Sequence, residues 1–353
     1  MRKNCLVAKI QTCTFATDLI VNDMNRDNSY TNMREMLKDC MNRIQTTVIN
    51  DNTPEISSGF QNLDSMIGGF EKGKVYVVGG RPCMGKEEFM FSMIEEIIVG
   101  EKLPVLMFST NHMKADYVQR LMAICCDIPS SRLNQGLMER LEWERLDSRV
   151  SLLVDAPLYI HDSLDLPIDD LIETAKKCNT EKAIKIIFID CLQMIDFTKE
   201  YGNASERIAK VMYSLKQLAR QIGVPIVVGS MLGRGVEFRE GLEGKRPLLM
   251  DLSNSSYIEE LADVIMMVHR PEYFHIYQDD NGRDLRGLVA IYVMKNALKP
   301  LDSFYLEYHQ ETGVVSEISD RSASKPVSLE ELGTASKAIE SLIKAFDLEE
   351  LPF

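Results

Sequence analysis

Residues 80–87 combine two glycines and a lysine at a spacing that suits phosphate binding. They follow the β-branched run 74–79 and precede a helical pattern, and they match G-x-x-x-x-G-K-[ST] except at the last position. In such a loop, backbone N–H groups face phosphate oxygens, and the lysine neutralises charge on the β- and γ-phosphates. The sequence therefore predicts a nucleotide-binding loop that consists of Gly80, Arg81, Pro82, Cys83, Met84, Gly85, Lys86 and Glu87.

The last position departs from the pattern, because Glu87 stands where Ser or Thr supplies the hydroxyl that binds Mg²⁺. Glu88 follows, so two carboxylates lie in the first turn of the helix whose positive end should receive the phosphates. Two unit charges about 4 Å apart interact by roughly 4 kcal/mol at an effective dielectric of 20. Magnesium between them offsets part of that repulsion. The loop thus favours a P-loop fold and argues against a working ATPase.

Asp190 ends the apolar run 185–190, as does the strand-end carboxylate that holds the metal in a P-loop site. The alternative is an ordinary exposed aspartate at the end of a strand. The order of elements after the loop favours the metal ligand. We therefore predict Asp190 as a Mg²⁺ ligand, with ATP and Mg²⁺ as the cofactors if nucleotide binds at all.

The elements that must position these residues alternate between apolar strands and helices. Continuous apolar runs of this kind imply an α/β fold with a mostly parallel sheet covered on both sides. The two runs 263–268 and 288–294, together with 304–308, predict an antiparallel addition at one edge. The further apolar runs are 104–108, 185–190 and 224–229, and the clearest helix is 204–222, with Ile208, Val211, Met212, Leu215 and Leu218 on one face.

Residues 33–48 predict a separate amphipathic helix, since apolar residues recur there at three- and four-residue steps. The segment 50–54 breaks the chain directly afterwards. The apolar stripe packs either on its own domain or on another protomer, and its residues alone do not decide between the two. The stripe consists of Met33, Met36, Leu37, Cys40, Met41, Ile44 and Val48.

The composition limits the class of partner. The 353 residues have a formal net charge of −13, which disfavours a protein that coats duplex DNA or anionic lipid with its whole surface. No apolar run approaches the roughly 18 residues that span a bilayer, and we expect no membrane association. The 8 cysteines form no C-x-x-C pair and indicate reduced thiols in a cytoplasmic protein.

Considered together, these motifs resemble the C-terminal motor of DnaB-type replicative DNA helicases, over about residues 31–316. The resemblance implies a RecA-like ATPase core, with an antiparallel edge, that assembles into rings. Helix 33–48 is placed like the family's linker helix, which docks on the adjacent subunit. The motifs are 58–64 (SGFQNLD), 80–86 (GRPCMGK), 104–109 (PVLMFS), 189–193 (IDCLQ), 208–222 and 258–265 (IEELADVI).

The resemblance divides the chain into four parts. Residues 1–30 are a reduced N-terminal segment in place of the family's collar domain, which contacts primase, and residues 31–50 are the linker helix. Residues 51–317 are the RecA-like domain, and residues 318–353 are an acidic tail with one short helix. We expect a homo-oligomer, or insertion into a helicase ring, through residues 33–48.

The chain departs from the family at positions that perform its chemistry. Glu87 replaces the magnesium-binding hydroxyl, and Asn111 replaces the glutamate that polarises the attacking water. Met231 replaces the glutamine that senses the γ-phosphate, and Ala297 replaces the arginine finger, while Lys295 of the same K-x-R pair is kept as a nucleotide-binding residue.

The DNA-facing loop loses charge and glycine, and keeps Ser253 and Asn254 as candidate contacts to single-stranded DNA. The substitutions together favour a non-hydrolysing paralogue that acts by oligomerisation and binding. The alternatives are an active ATP-dependent 5′–3′ DNA helicase and a decaying copy without a role.

The C-terminus lies outside the helicase resemblance. Residues 347–353 (DLEELPF) are similar to the terminal tip of bacterial single-stranded-DNA-binding proteins. The other interpretation is a frayed acidic chain end. In the first case, Leu351, Pro352 and Phe353 bind other replication proteins, with Phe353 in an apolar pocket and its carboxylate paired with an arginine.

Overall fold

The structure is a computed structural model that describes residues 54–197, 201, 203–253, 255–297 and 301–318, and also Asn32, Met33, Met36, Leu37 and Met41. The chain divides into two units, Met1–Thr53 and Pro54–Phe353. In the first unit, the described stripe residues Met33, Met36, Leu37 and Met41 are helical and exposed. The rest of that predicted helix lies outside the described residues.

Strands in the described part of the second unit form one sheet of nine, in the order β3-β2-β4-β5-β1-β6-β7-β8-β9. Strands β3 to β6 along this order run parallel to their neighbours, while β7, β8 and β9 pair antiparallel. The bounds are β1 Val75–Gly80, β2 Val105–Ser109, β3 Leu158–Asp162, β4 Ile186–Asp190, β5 Ile226–Met231, β6 Val264–His269, β7 Leu288–Asn296, β8 Ser303–His309 and β9 Val314–Ser316.

Helices cover both faces of this sheet. They are α1 Gln61–Ile67, α2 Lys86–Glu95, α3 Lys114–Cys126, α4 Ser130–Gln135, α5 Arg140–Val154, α6 Ile168–Lys182, α7 Ala204–Ile222, α8 Gly241–Lys245 and α9 Ser255–Leu261. A π-helical segment, Glu96–Gly100, follows α2. Short 3₁₀ segments are Leu192–Met194, Arg234–Phe238, Leu249–Asp251 and Pro271–Phe274.

The core has two apolar layers, one on each face of the sheet. Successive residues of β1 alternate between them, because side chains of a strand point to opposite faces. Tyr76 and Val78 belong to the layer under α2 and α3, whereas Val75 and Val77 belong to the layer under α6 and α7. Every residue of β1 is buried, as the continuous apolar run predicts for a central parallel strand.

Helix α7 forms where the sequence predicts it. Asn203 caps its start, since the Asn203 side chain accepts a hydrogen bond from the Glu206 N–H at 2.9 Å. Gly223 ends the helix in the left-handed region, at φ 66°. The predicted apolar face is buried against the sheet, with Ile208, Val211, Met212, Leu215 and Leu218 at 0–1% exposure.

Three details of the sheet differ from the sequence prediction. Strand β6 pairs antiparallel with β7 as predicted, but it also pairs parallel with β1, in the register Tyr76↔Val264, and so belongs to the parallel core. The antiparallel addition is therefore β7 to β9, and the sequence patterns do not predict β9. They do not predict β3 either, since its five residues are only half-buried and lack a continuous apolar pattern. Among the described residues, no helix is both long and apolar enough to cross a membrane.

Candidate phosphate-binding site

The predicted phosphate loop connects the carboxyl end of β1 to the start of α2. Gly85 is the N-cap of α2 and adopts φ 87°, a left-handed conformation that glycine takes without steric cost. Gly85 has no side chain, so the N-cap residue leaves room for an anion at the first N–H groups of α2. A Cβ added at Gly80 would lie 3.0 Å from the Lys86 Cβ, which shows how closely the loop folds over its lysine.

Lys86 and Asp190 form a buried ion pair at the carboxyl edge of the sheet. The Lys86 Nζ donates to Asp190 Oδ1 at 2.7 Å, and the two residues are 8% and 1% exposed. Burial by itself lowers the pKa of Lys86, but the charge and hydrogen bond of Asp190 are among the effects that outweigh burial and raise that pKa. Lys86 therefore stays charged, and the two predicted site residues are brought together.

Asp190 is held from three sides. Tyr117 of α3 donates its hydroxyl to Asp190 Oδ2 at 3.3 Å, and burial raises the pKa of Tyr117, which keeps the phenol protonated. The Asp190 carbonyl accepts from both the N–H and the hydroxyl of Thr110, each at 2.8 Å. The carboxylate thus has a partner on each oxygen before any ligand arrives.

Glu87 faces an arginine and a histidine of its own chain. The Arg120 guanidinium donates to Glu87 Oε2, and His112 Nε2 lies 3.4 Å from the same oxygen. Burial by itself lowers the pKa of Arg120, but the charge and hydrogen bond of Glu87 are among the effects that outweigh burial and raise that pKa. The repulsion expected from the Glu87 charge is therefore offset inside the protein, by a long-range contact that the loop sequence does not contain.

Glu88 borders a cleft of about 410 Å³ beside the loop. Burial is the largest effect on this carboxyl and raises its pKa, and the charge of Glu87 adds to the shift. The cleft brings together groups from α2, α3, α4 and the β8–β9 turn. Its polar and charged lining includes Glu88, His112, Asp116, Arg120, Asn134 and Gln310.

Asn111 and Met231, two of the four altered catalytic positions, lie near the same edge of the sheet. The Asn111 side-chain amide donates to the Cys191 sulfur at 3.8 Å. Gln193 bridges the end of β5: its amide donates to Ser230 Oγ at 2.9 Å and its carbonyl accepts from the Met231 N–H at 2.9 Å. A glutamine side chain is therefore present beside Met231, although it comes from another segment.

Two arginines, one within the loop and one outside it, make contacts in this region. Arg81 donates to Glu237 and, at 3.0 Å, to the Leu232 carbonyl, so its guanidinium is already bound within the chain. Arg270, 6% exposed, donates to the Cys83 carbonyl at 3.1 Å and so holds the loop. Its guanidinium lies 4.4 Å from the Tyr308 ring centre.

Lys295 is not brought to the phosphate loop of its own chain. In the antiparallel β6–β7 pair it lies opposite Ile265, at the end of the sheet away from Gly80, which pairs with Val268. Its ammonium donates to the carbonyls of Glu259, Glu260 and Ala262, at 2.5, 3.2 and 2.5 Å, and so caps the end of α9. Ala297 follows two residues later and is exposed.

The remaining predicted contacts fall partly outside the described residues. Ser253 is described and donates its N–H to the Met231 carbonyl at 3.3 Å, whereas Asn254 lies outside. The C-terminal tip, Leu351, Pro352 and Phe353, also lies outside.

The side-chain oxygens at this edge do not suit the coordination of a magnesium ion in a P-loop site. Glu87 has no hydroxyl and is bound to Arg120, and both oxygens of Asp190 already accept hydrogen bonds from protein groups. Magnesium requires near-octahedral oxygen ligands at short distances and tolerates little crowding. Within the described residues, no group of three or more His, Cys, Asp or Glu side chains is arranged to hold a metal.

Sequence reasoning missed four side chains that define the site: Tyr117, Arg120, Gln193 and Arg270. Each reaches the loop or its partners from a distant segment, so local spacing contains no signal for Tyr117, Arg120 or Arg270. Gln193 lies within the motif 189–193, but the motif by itself assigns it no role. Its position two residues after a cis peptide bond, between Asp190 and Cys191, is visible only in the structure.

The nine-stranded α/β sheet, with a glycine-lysine loop at its carboxyl edge, defines a P-loop core of the RecA-like type. Residues 55–316 match the family model "DnaB-like helicase C terminal domain". The chain belongs to this family.

Known proteins agree with that assignment. The chain is 32% identical over 239 residues to the replicative DNA helicase DnaB of Treponema pallidum (strain Nichols), which covers 67% of this chain and 53% of the relative. It is 32% identical over 256 residues to a probable replicative DNA helicase of Trieres chinensis, covering 72% and 55%. The chain thus spans about half the length of these curated relatives.

Two solved structures share the fold. One is an isolated ATPase domain, which superposes with a TM-score of 0.75 at 22% identity, over 83% of this chain and all of that domain. The other is a DnaB-like replicative helicase, solved in a study of its interactions with primase, which superposes with a TM-score of 0.72 at 21% identity, over 90% of this chain and 76% of that one.

Proposed function

We propose that this chain is a DnaB-like protein of DNA replication that does not hydrolyse ATP and acts by self-association and by binding DNA and other replication proteins. The observation that supports this most directly is the contact between Glu87 and Arg120. Glu87 replaces the magnesium-binding hydroxyl, and its carboxylate already accepts a hydrogen bond from Arg120 of the same chain. We propose a cytoplasmic location for this activity.

The other altered positions support the same proposal. Asn111 is an amide, and an amide cannot take a proton from an attacking water. Met231 offers no polar side chain to a γ-phosphate, and Ala297 offers no guanidinium to a neighbouring site. Loss of an arginine finger alone lowers a phosphoryl-transfer rate by about 10³ or more. The losses concern separate steps, so one reversion should not restore turnover.

If nucleotide binds, the residues that hold it are those of the loop 80–87, with Lys86 on the phosphates and Asp190 beside it. Lys295 lies at the far end of the sheet from its own loop, so its role at a nucleotide would require the loop of a neighbouring subunit. This arrangement is consistent with a site shared between two copies of the chain.

Self-association is proposed to use the helix within residues 33–48. Met33, Met36, Leu37 and Met41 are between 44% and 70% exposed, an apolar stripe of adaptable side chains. Deletion of residues 1–50 should lower the molar mass measured by light scattering. An identical monomeric mass before and after the deletion would contradict this part of the proposal, and a heteromeric ring partner should instead restore a larger mass on mixing.

Single-stranded DNA is proposed to contact Ser253 and Asn254, and replication proteins the C-terminal tip. For the tip, a peptide of residues 345–353 is titrated against a partner of single-stranded-DNA-binding proteins. The same peptide without Phe353 is the matched control. Tighter binding by the complete peptide supports the proposal, and equal affinities refute it.

The decisive experiment is ATP turnover by the full-length chain with single-stranded DNA. We expect background turnover for the wild type, for Lys86→Ala and for Glu87→Thr, because the single reversion leaves Asn111 and Ala297 unchanged. Turnover in the wild type that Lys86→Ala abolishes would refute the proposal.

The second candidate is an active ATP-dependent 5′–3′ DNA helicase. The intact Lys86–Asp190 pair, at 2.7 Å, is the observation in its favour, since these are the two residues that contact phosphate and metal in P-loop enzymes. Strand displacement from a forked duplex, with ATP and lost in Lys86→Ala, distinguishes it from the first candidate. Binding to the same fork without displacement supports the first.

A further inference from the structure

The phosphate loop of this site keeps the features that bind an anion, whereas the carboxylates at its metal position are occupied by groups of the protein. We propose that the loop binds the phosphate chain of a nucleoside di- or triphosphate without a divalent metal ion, because groups of the protein itself already occupy Glu87 and Asp190, the two carboxylates at the metal position. The inference deepens the proposed function and rests on it only in placing nucleotide at this loop.

The phosphate-binding half of the site is complete. The left-handed Gly85 and the start of α2, whose N-cap residue has no side chain, present N–H groups to an anion. Lys86, the first residue of α2, is charged, and its ammonium has three N–H donors, so it can contact a phosphate while it still donates to Asp190. Arg270 holds the loop through the Cys83 carbonyl. These features need no metal in order to attract phosphate oxygens.

The metal-binding half is closed by the protein's own groups. A cation at Asp190 would have to compete with the Lys86 ammonium for Oδ1 and with the Tyr117 hydroxyl for Oδ2. It would also approach a lysine charge in a buried environment, where like charges repel more strongly than in water.

The carboxylate of Glu87 is also occupied by groups of the protein. Its Oε2 accepts from Arg120, and His112 lies beside that oxygen, so a divalent ion would meet a guanidinium before it met a free carboxylate. Arg120 cancels the Glu87 charge that would otherwise repel the phosphates.

The test measures binding of N-methylanthraniloyl-ADP to the full-length chain by fluorescence, once with Mg²⁺ and once with EDTA. For the wild type we expect dissociation constants within about twofold of each other in the two buffers. Tightening by more than about tenfold with Mg²⁺ would overturn the inference, because Glu87 or Asp190 would then be a metal ligand. Absence of saturable binding in both buffers would overturn it as well.

Variants locate the effect. Glu87→Thr, with Glu87→Ser as its substitute if it does not fold, restores the hydroxyl and frees Arg120, and should gain a Mg²⁺-dependent tightening of about tenfold. An unchanged response in a folded variant would overturn the role of Glu87. Glu95→Thr, at the other end of α2, is the matched control and should behave like the wild type. Lys86→Ala should weaken binding in both buffers, and full affinity there would show that the probe binds elsewhere and overturn the inference.

The result of this test is independent of the result that tests the proposed function. ADP is not hydrolysed, so its metal dependence is measured whether or not the chain turns over ATP. Turnover with metal-independent ADP binding would refute only the proposed function, and metal-dependent binding without turnover would refute only this inference.

Discussion

Two aspartates end parallel strands on either side of β2 and have opposite surroundings. Asp162 ends β3 and Asp190 ends β4, and both lie level with Ser109 of the strand between them. Asp162 pairs with Lys114 at 3.1 Å, and that lysine side chain is 65% exposed. Asp190 pairs with Lys86 at 2.7 Å, where the two side chains are 2% and 9% exposed.

The difference follows from sheet position. Strand β3 is an edge strand, so its carboxyl end opens to water, whereas β4 lies between β2 and β5 and is covered by the helices that follow β1 and β2. Water screens the first pair and leaves it weak, whereas the second pair is screened little and each member depends on the other. The same local pattern, a strand that ends in aspartate, thus gives an exposed ion pair at one position and a buried ion pair at the other.

The largest effect is expected from removing these carboxylates one at a time. Asp190→Ala leaves the Lys86 charge buried without its anion and should lower the free energy of unfolding by about 3–5 kcal/mol. Urea unfolding at neutral pH measures the change. Asp162→Ala is the matched control two strands away and should lose much less. Equal losses for the two variants would show that burial does not separate these strand ends.

A buried strand end and the exposed one should lose their contributions to the free energy of unfolding at different pH values. Burial lowers the pKa of His269, at the end of β6, from 6.5 to about 4. The unfolded chain therefore takes up this proton first, and stability that is complete above pH 6.5 falls as the pH drops towards 4. The loss amounts to about 3 kcal/mol over that window.

His269→Phe should abolish this dependence in urea unfolding repeated across the window. Asp162, by contrast, has a pKa below its ordinary 3.8 because the Lys114 N–H and ammonium hold its anion, so its contribution is lost only at lower pH. A wild-type slope that persists in His269→Phe would assign the titration to other groups.

A smaller effect tests the second support of Asp190. Tyr117→Phe removes the hydroxyl that donates to Asp190 Oδ2, and should cost about 1–2 kcal/mol in the free energy of unfolding. In the Asp190→Ala background the same substitution should cost clearly less, since the partner is already absent. Identical costs in both backgrounds would mean that the tyrosine acts through packing alone.

The smallest effect belongs to the opposite end of the sheet. Lys295→Met removes a cation from the carbonyls that end α9, and should lower stability by about 0.3–1 kcal/mol. Its thermal midpoint is compared with that of Lys114→Met, which removes the exposed partner of Asp162. A loss as large as that of Asp190→Ala would show that this cap contributes as much as a buried charge pair.

Local sequence was enough to predict much of the fold. The loop 80–87 and the apolar runs around it identified the parallel core, and the stripe of α7 was buried as its spacing predicts. These predictions succeed because strand and helix periods are local properties of the chain. The sequence did not predict the half-buried strand β3 or the parallel pairing of β6 with β1, since neither produces a distinct local pattern.

The sequence by itself determined the family, the phosphate loop and the substitutions at Glu87, Asn111, Met231 and Ala297. Only the tertiary structure decided which partners those side chains meet. Arg120 reaches Glu87 from 33 residues away, and Lys86 reaches Asp190 from 104 residues away. The charge of a side chain is local, but the partner that neutralises it is supplied by strand order and helix packing.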